Sequence, residues 1–312
     1  MFSVIIPNWN GVRLQLLPTC LNALRAQTYR DFEIIVVDDG STDASREFVA
    51  REFPEARVIV NPVNVGFAPS VNAGIRAARG DTIVLLNNDT EAAPTWLAEI
   101  ARALEAQPSA GIVACKLRLF DARDHLHSAG DFYRVDGIPG NRGVWEKDTG
   151  QYDDARGVFG ACGGAAAYRK TMLDEIGGLD EALGSYCEDV DLNWRARLAG
   201  YAVAYAPRAI VYHKISATGG GALASFFVGR NTLWVIAKNY PSGLWKKYWR
   251  HIIRAQLGIT RDALKSWRGA AARARLRGQL AGLIGLPRWL ARRREVIRRA
   301  SDAEIEAALL HA

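Results

Sequence analysis

An α/β fold built on a mostly parallel sheet is what this chain of 312 residues predicts. Three observations carry the prediction. Short β-branched runs alternate with amphipathic stretches through the front of the chain, a pattern of parallel strands with helices on both faces. The strands end on polar residues, and open α/β sheets bind ligands outside the carboxyl ends of their strands. From residue 223 onward the pattern turns helical and basic.

Residues 4–6 read as the first strand and 14–26 as the first helix. Strands over 33–37, 57–60 and 82–86 follow, with helices over 42–53, 70–78 and 95–106. The strand ends present Asn8 and Asn10, Asp38 and Asp39, Asn64, and Asn87 to Asp89. The stretch 120–157 is rich in Asp, Gly and Arg and reads as a long excursion or small extra hairpins. A strand resumes over 164–168, a helix covers 190–199, and 201–206 and 209–212 are extended. A glycine-rich loop, 216–221, precedes the helical region, which is expected to break near Pro241, Gly269 and Pro287. Two regions result: 1–222, and a basic amphipathic region 223–312.

Composition narrows the function. Hydrophobic residues make up 49% of the chain, enough for a sizeable core. The net charge of +7 hides a division. Residues 241–312 hold 16 Lys or Arg against 5 Asp or Glu, net +11; the rest holds 24 against 28, net −4. A basic tail calls for an anionic partner. Cys20, Cys115, Cys162 and Cys187 form no CxxC pair and fit a reduced, cytoplasmic protein better than a disulfide framework or a zinc site. The opening apolar run stops at Pro7 without a basic leader, so no signal peptide is expected, and no apolar run is long enough to span a bilayer.

Several segments carry candidate chemistry. VVDDGSTD (36–43) ends a strand on paired acids, and a carboxylate there can accept the N3–H of a uracil or thymine ring. Ser41 and Asp43 suit a helix cap equally well. LLNNDT (85–90) ends a strand on Asp89, placed either as a turn residue or as a ligand of Mg²⁺ or Mn²⁺ against a diphosphate. In YCEDVDLNWRARLAG (186–200), Glu188 and Asp189 begin a helix, where one acid is an ordinary dipole partner and two need another reason. Asp191 and Arg195, four apart, are expected to pair on the helix surface. His213 closes the run AIVYH, and imidazole is a common ligand of Mn²⁺-type ions.

The order VIIPNWNG, VVDDGSTD, NVGFAPSVNAGI, LLNNDT, EDVDLNWR, VYH resembles the inverting family-2 glycosyltransferases of GT-A fold, above all the bacterial rhamnosyltransferase-like branch. The resemblance covers residues 2 to about 239 and extends to the basic tail. It implies that Pro7 and Asn10 line the nucleotide pocket, that Asp39 reads the base, and that Asn64, Gly66 and Asn72 shape the base and ribose site. It places Asn87, Asn88 and Asp89 at the family's Asp-x-Asp position, with Asp89 and His213 on the metal. Asp189 of the Glu188–Asp189 pair matches the catalytic base, and Arg230 in GRN stands near the diphosphate. Asn87 replaces the first acid of the motif and is a poorer metal ligand.

The function implied is transfer of a sugar, rhamnose from dTDP-rhamnose first and a UDP-sugar second, to a hydroxyl of a glycan or lipid-linked acceptor. It is a metal-assisted inverting displacement in bacterial surface polysaccharide synthesis, carried out peripherally at the inner face of the plasma membrane. The tail, with Trp245, Tyr248, Trp249, Trp267 and Trp289 among Leu and Ile at helical spacing, reads as a surface for anionic membranes rather than nucleic acid. A dinucleotide-dependent oxidoreductase is disfavoured because PNWNG, not GxGxxG, follows the first strand. A non-catalytic membrane scaffold on a decayed transferase fold is the remaining alternative, opposed by intact Asp39, Asp89, Asp189 and His213.

Overall fold

The computed structural model describes residues 1–154, 157–215 and 220–311, so most of the 216–221 loop lies outside the described residues. The front half runs β1 (Phe2–Asn8), α1 (Leu16–Arg25), β2 (Phe32–Asp39), α2 (Ser45–Glu52), β3 (Arg57–Asn61), α3 (Phe67–Ala77) and β4 (Thr82–Leu86). It continues through β5 (Thr90–Ala92), α4 (Trp96–Ala106), β6 (Ala110–Leu119), β7 (Leu126–Ala129), β8 (Asp131–Tyr133) and β9 (Pro139–Asn141). Then come β10 (Ala165–Arg169), α5 (Lys170–Ile176), α6 (Glu188–Leu198) and β11 (Ala202–His213). The tail is α7 (Gly221–Asn239), α8 (Ser242–Lys265), α9 (Ala270–Ala291) and α10 (Asp302–Ala308).

The main sheet has the order β3-β2-β1-β4-β10-β6-β11-β5, with β7 alongside β6. The first four strands are parallel, as expected. β10 then enters antiparallel to both β4 and β6, β11 runs parallel to β6, and β5 pairs antiparallel with β11. The sheet is therefore mixed. Side chains alternate across it. Val4, Ile6, Ile34 and Val36 pack against Leu17 and Leu21 of α1 and Trp96 and Ile100 of α4. Ile5, Ile35 and Val37 face the other way, toward Val71 of α3, Met172 of α5 and Leu192 of α6.

Two local expectations change, and β6 is a strand where none was expected. β6 is a strand without a strong β-branched pattern; its small residues permit close approach, since a Cβ on Gly111 would stand 2.6 Å from Met172 Sδ. The two extended stretches near 201–212 are one strand, β11, whose register shifts between Ala206 and Ile210. Pro207 lies in that irregularity, where a residue without an N–H is tolerated. The break expected near Pro287 does not occur, because α9 continues to Ala291. Trp289, just beyond the proline, is buried and stacked on Trp234 at 4.9 Å, which holds the last turn in place.

The tail docks on the sheet domain rather than standing apart. Trp194 of α6 lies among Tyr133, Phe159 and Tyr240, and this cluster continues into Leu244, Ile252 and Ile305. Asp191 is not on the surface, contrary to the sequence expectation: it is fully buried. It accepts from Arg195 Nε at 2.7 Å, Lys238 Nζ at 3.0 Å and Asn239 Nδ2 at 2.8 Å. Lys238 also reaches Asp180, which pairs with Arg292. Burial pushes the Asp191 carboxyl upward, but Arg195 and Lys238 outweigh it and hold it down at about 2. One helix turn is thus tied by charge to α7 and to the segment after α9. The boundary at 222/223 falls in the first turn of α7.

Candidate active site

Strand register brings the metal candidates together. Asp89 sits in the turn between β4 and β5, and β5 pairs with the end of β11 so that Thr90 lies opposite His213. Lys214 N donates to Asp89 O at 2.9 Å and closes the turn. His213 Nε2 then lies 3.2 Å from Asp89 Oδ1. The contact is close but not aligned as a hydrogen bond, and Asp89 Oδ1 is buried without a hydrogen-bond partner. An orphaned carboxylate oxygen facing an imidazole nitrogen is a donor set that fits Mn²⁺ or Mg²⁺.

Asp189 reaches the same cavity from the first turn of α6. Its Oδ2 accepts from Gly163 N and its Oδ1 from Val190 N, both at 2.8 Å. The approach to α6 is backbone-strained: Tyr186 and Cys187 both have left-handed φ, 65° and 68°, a cost of order 1–3 kcal/mol each. Asn231, fully buried on α7, holds them there, with Nδ2 donating toward the carbonyls of Leu183, Ser185 and Tyr186 at 3.0, 2.9 and 2.6 Å. Such strain is sustained only where surrounding structure over-determines it, as at functional sites.

The cavity holds about 500 Å³ and is lined by Asn87, Asp89, Asp189, Glu188 and His213, together with His127 and Asp131. Its electrostatics separate the acids. Burial and then the neighbouring Asp189 charge push Glu188 up to about 8. Glu188 Oε2 has no hydrogen-bond partner. Burial also raises Asp189, but two backbone N–H groups favour its ionised form. These influences favour the proton of the pair on Glu188 and the charge on Asp189. Asp131 is pushed up to about 7 by burial and then by Asp189, although Ser128 and Asn141 donate to its Oδ1 at 2.7 and 2.8 Å.

The remaining candidates divide into two groups. Pro7, Asn10, Asp39, Asn64 and Gly66 stand at the carboxyl-end loops of β1 to β3, beside but not among the cavity-lining residues. Asp39 is buried there, accepting from Asn61 Nδ2, Val65 N and Gly66 N, each at 2.9 Å, which leaves one acceptor direction open. Asn10 Oδ1 takes the N–H groups of Thr42 and Asp43, so it fastens the first two strand–helix turns together. Gly66 has φ 97°, which a side chain would resist.

Five other residues meet other partners. Asp43 accepts from Arg13 N and from Ser45 N, the first free N–H of α2, although Ala44 holds the N-cap position, while Ser41 Oγ accepts from Asn10 N instead. Asn88 turns away from the cavity and donates to Asn8 Oδ1 at 2.8 Å. Asn72 exchanges hydrogen bonds with the backbone of Leu179 and reaches Glu181. Arg230 packs its guanidinium on Trp234 and donates to Leu183 O rather than lining the cavity; its neighbour Asn231 shapes the site instead. His127 and Asp131 lie in the weakly periodic excursion, where no strand-end motif marks them. The only sequence signal for Asn231 is its place beside Arg230 in GRN.

The sheet order is that of the GT-A fold. The chain belongs to glycosyl transferase family 2, whose profile matches residues 3–177. It is 31% identical over 236 residues to the protein y4gI of Sinorhizobium fredii, covering 70% of this chain and 25% of that one. The chain thus corresponds to about a quarter of that relative's length. It is 24% identical over 261 residues to the N-acetylglucosaminyl-diphospho-decaprenol L-rhamnosyltransferase of Mycobacterium tuberculosis, covering 77% and 85%. Among solved structures, S. aureus TarS 1–349 in complex with UDP-GlcNAc matches with a TM-score of 0.59 at 16% identity, over 94% of this chain and 91% of that one. GalNAc-T7 with UDP, GalNAc and Mn²⁺ matches with a TM-score of 0.61 at 16% identity, over 76% and 48%. At that identity these likenesses speak for the fold alone.

Proposed function

We propose that this glycosyltransferase moves a sugar from a pyrimidine nucleoside diphosphate to an acceptor hydroxyl with inversion, using Mg²⁺ or Mn²⁺. The observation that carries the reading is one cavity holding Asp189, held by two backbone N–H groups, together with the Asp89–His213 pair. Asp189 accepts the proton of the acceptor hydroxyl as its oxygen attacks the anomeric carbon. The bond from that carbon to the diphosphate oxygen breaks on the opposite face, and the electron pair leaves with the diphosphate. Asp89 and His213 would hold the cation, which when bound stabilises the negative charge on the departing diphosphate. Glu188 keeps its proton and leaves Asp189 as the base.

Asp39, at the carboxyl end of β2 with one acceptor direction open, supports a uracil or thymine base. The M. tuberculosis relative is named for L-rhamnose transfer to a diphospho-decaprenol carrier, and a Myxococcus xanthus relative is an O-antigen biosynthesis protein. These favour dTDP-rhamnose as donor, then a UDP-sugar, with a glycan or lipid-linked acceptor in surface polysaccharide synthesis.

A peripheral position at the inner face of the plasma membrane fits the tail. No helix among the described residues is long and apolar enough to cross a membrane. α8 exposes Trp245, Trp249, Ile253 and Leu257 in one i, i+4 stripe, interleaved with Lys246, Arg250 and Arg254.

The test is thermal shift with dTDP-, UDP- and GDP-sugars, each with and without Mn²⁺ or Mg²⁺. Stabilisation by the thymidine or uridine donors with metal is expected; stabilisation by a GDP-sugar alone overturns the base assignment.

A further inference from the structure

His213 is held between two partners. Its Nε2 faces Asp89 Oδ1 at 3.2 Å, and its Nδ1 lies 3.0 Å from Nδ1 of His127. Two ring nitrogens at that distance share one proton: one donates and the other accepts. The two arrangements have opposite consequences. If His127 donates, the proton of a neutral His213 sits on Nε2, on the side of Asp89, and removes the lone pair that a cation would need. If His127 accepts, His213 carries its proton on Nδ1 and turns the Nε2 lone pair toward Asp89. Asp89 Oδ1 is buried and has no hydrogen-bond donor. The second arrangement leaves both that oxygen and the Nε2 lone pair available to a cation between them.

We infer that His127 is the positioning residue of the metal site: its Nδ1 accepts the Nδ1 proton of His213 and fixes the tautomer whose Nε2 ligates a divalent cation beside Asp89. The inference rests on the metal reading given above. The fold builds the contact deliberately from two strands. β6 pairs with β7 on one side, Leu117 opposite Ser128, and with β11 on the other, Leu119 opposite His213. β7 and β11 thus flank β6, and the two imidazoles reach toward each other across it, with ring centroids 4.8 Å apart. On another side, Gly164 approaches the His213 ring so closely that a Cβ there would stand 3.1 Å from Cε1. The ring is thus confined by backbone on one side and by His127 at its second nitrogen. Metal-bound histidines ordinarily donate that second N–H to a fixed acceptor, and loss of the acceptor weakens metal binding by about 10–100-fold.

Calorimetry with Mn²⁺ at saturating UDP tests the inference on the full chain and on three variants. His127→Phe keeps the ring volume but removes the acceptor, and His127→Asn leaves an amide oxygen near the Nδ1 position. Mn²⁺ affinity should fall about 10–100-fold in His127→Phe and stay much nearer the wild-type value in His127→Asn. Unchanged affinity in His127→Phe, or an equal loss in both, overturns the inference. His213→Ala separates the two levels. If it weakens Mn²⁺ binding while His127→Phe does not, the metal reading stands and the inference fails; if it has no effect, both fail. No variant is needed for the second measurement. In ¹⁵N-histidine spectra of the wild-type protein with Mg²⁺ and UDP, His213 should be protonated at Nδ1, and a proton on its Nε2 overturns the assignment.

Discussion

Asp189→Asn isolates the proposed base, because it keeps the shape of the side chain and removes its charge. The carboxylate accepts one backbone N–H on each oxygen, from Gly163 and Val190. An asparagine oxygen can satisfy only one of them, and its NH₂ faces the other. A buried donor left unsatisfied costs about 1–3 kcal/mol. Loss of charge acts the other way, since Asp189 raises both Glu188 and Asp131. The variant should therefore fold with a modest change in stability, and its Glu188 and Asp131 carboxyls should titrate lower than in the wild type. Transfer should fall by about 10²–10⁴-fold, in kcat, because that is the usual contribution of a general base. Donor affinity should change little, since the nucleotide candidates are other residues.

The pH profile carries a sign that can be checked. The base must be ionised, and burial raises its carboxyl above the ordinary Asp value. Activity is thus lost on acidification at a pH above that ordinary value. Steady-state kinetics with separately measured donor dissociation constants test the variant, and Glu188→Gln is its control. Gln cannot ionise, so it relieves the cost of charging Glu188 between pH 4.5 and about 8. Folding binds more protons than unfolding over that interval, so wild-type stability declines as pH rises through it. Glu188→Gln should therefore melt higher than wild type near pH 8.5 and keep most of its kcat. A dead Glu188→Gln beside an active Asp189→Asn would refute the division of roles.

Chelation should abolish metal-assisted nucleotide binding, and Asp89→Ala should weaken it with Mn²⁺ present; calorimetry with UDP, undiminished in EDTA, would remove the cation from the site. Asp191→Ala should destabilise the protein by about 3–5 kcal/mol in urea denaturation, because it leaves Arg195 and Lys238 buried without their shared carboxylate. The stabilisation from Asp191 is complete above its unfolded value and lost as pH falls through about 2. Vesicle flotation should recover the protein with anionic but not neutral liposomes, less so at high salt and less so for Trp249→Glu; equal recovery on both vesicle types sinks the membrane reading.

The sequence by itself determined the parallel half of the sheet, because β1, β2, β3 and β4 are local apolar runs whose polar ends fall where ligands bind. It also gave away Asp89, Glu188, Asp189 and His213 as strand-end or helix-start residues, features set by neighbours in the chain. Only the tertiary structure decided which of these polar groups share a cavity. His213 reaches Asp89 through a β5–β11 pairing that spans more than a hundred residues, which no local pattern encodes. Likewise the i, i+4 spacing of Asp191 and Arg195 foretold their ion pair but not its burial, since burial depends on Lys238 and Asn239 arriving from α7. Asn88, Asn72 and Arg230 carry groups suited to a nucleotide, and packing gave each a different partner. A side chain's chemistry is written in the sequence, but its partner is fixed only when distant strands and helices close around it.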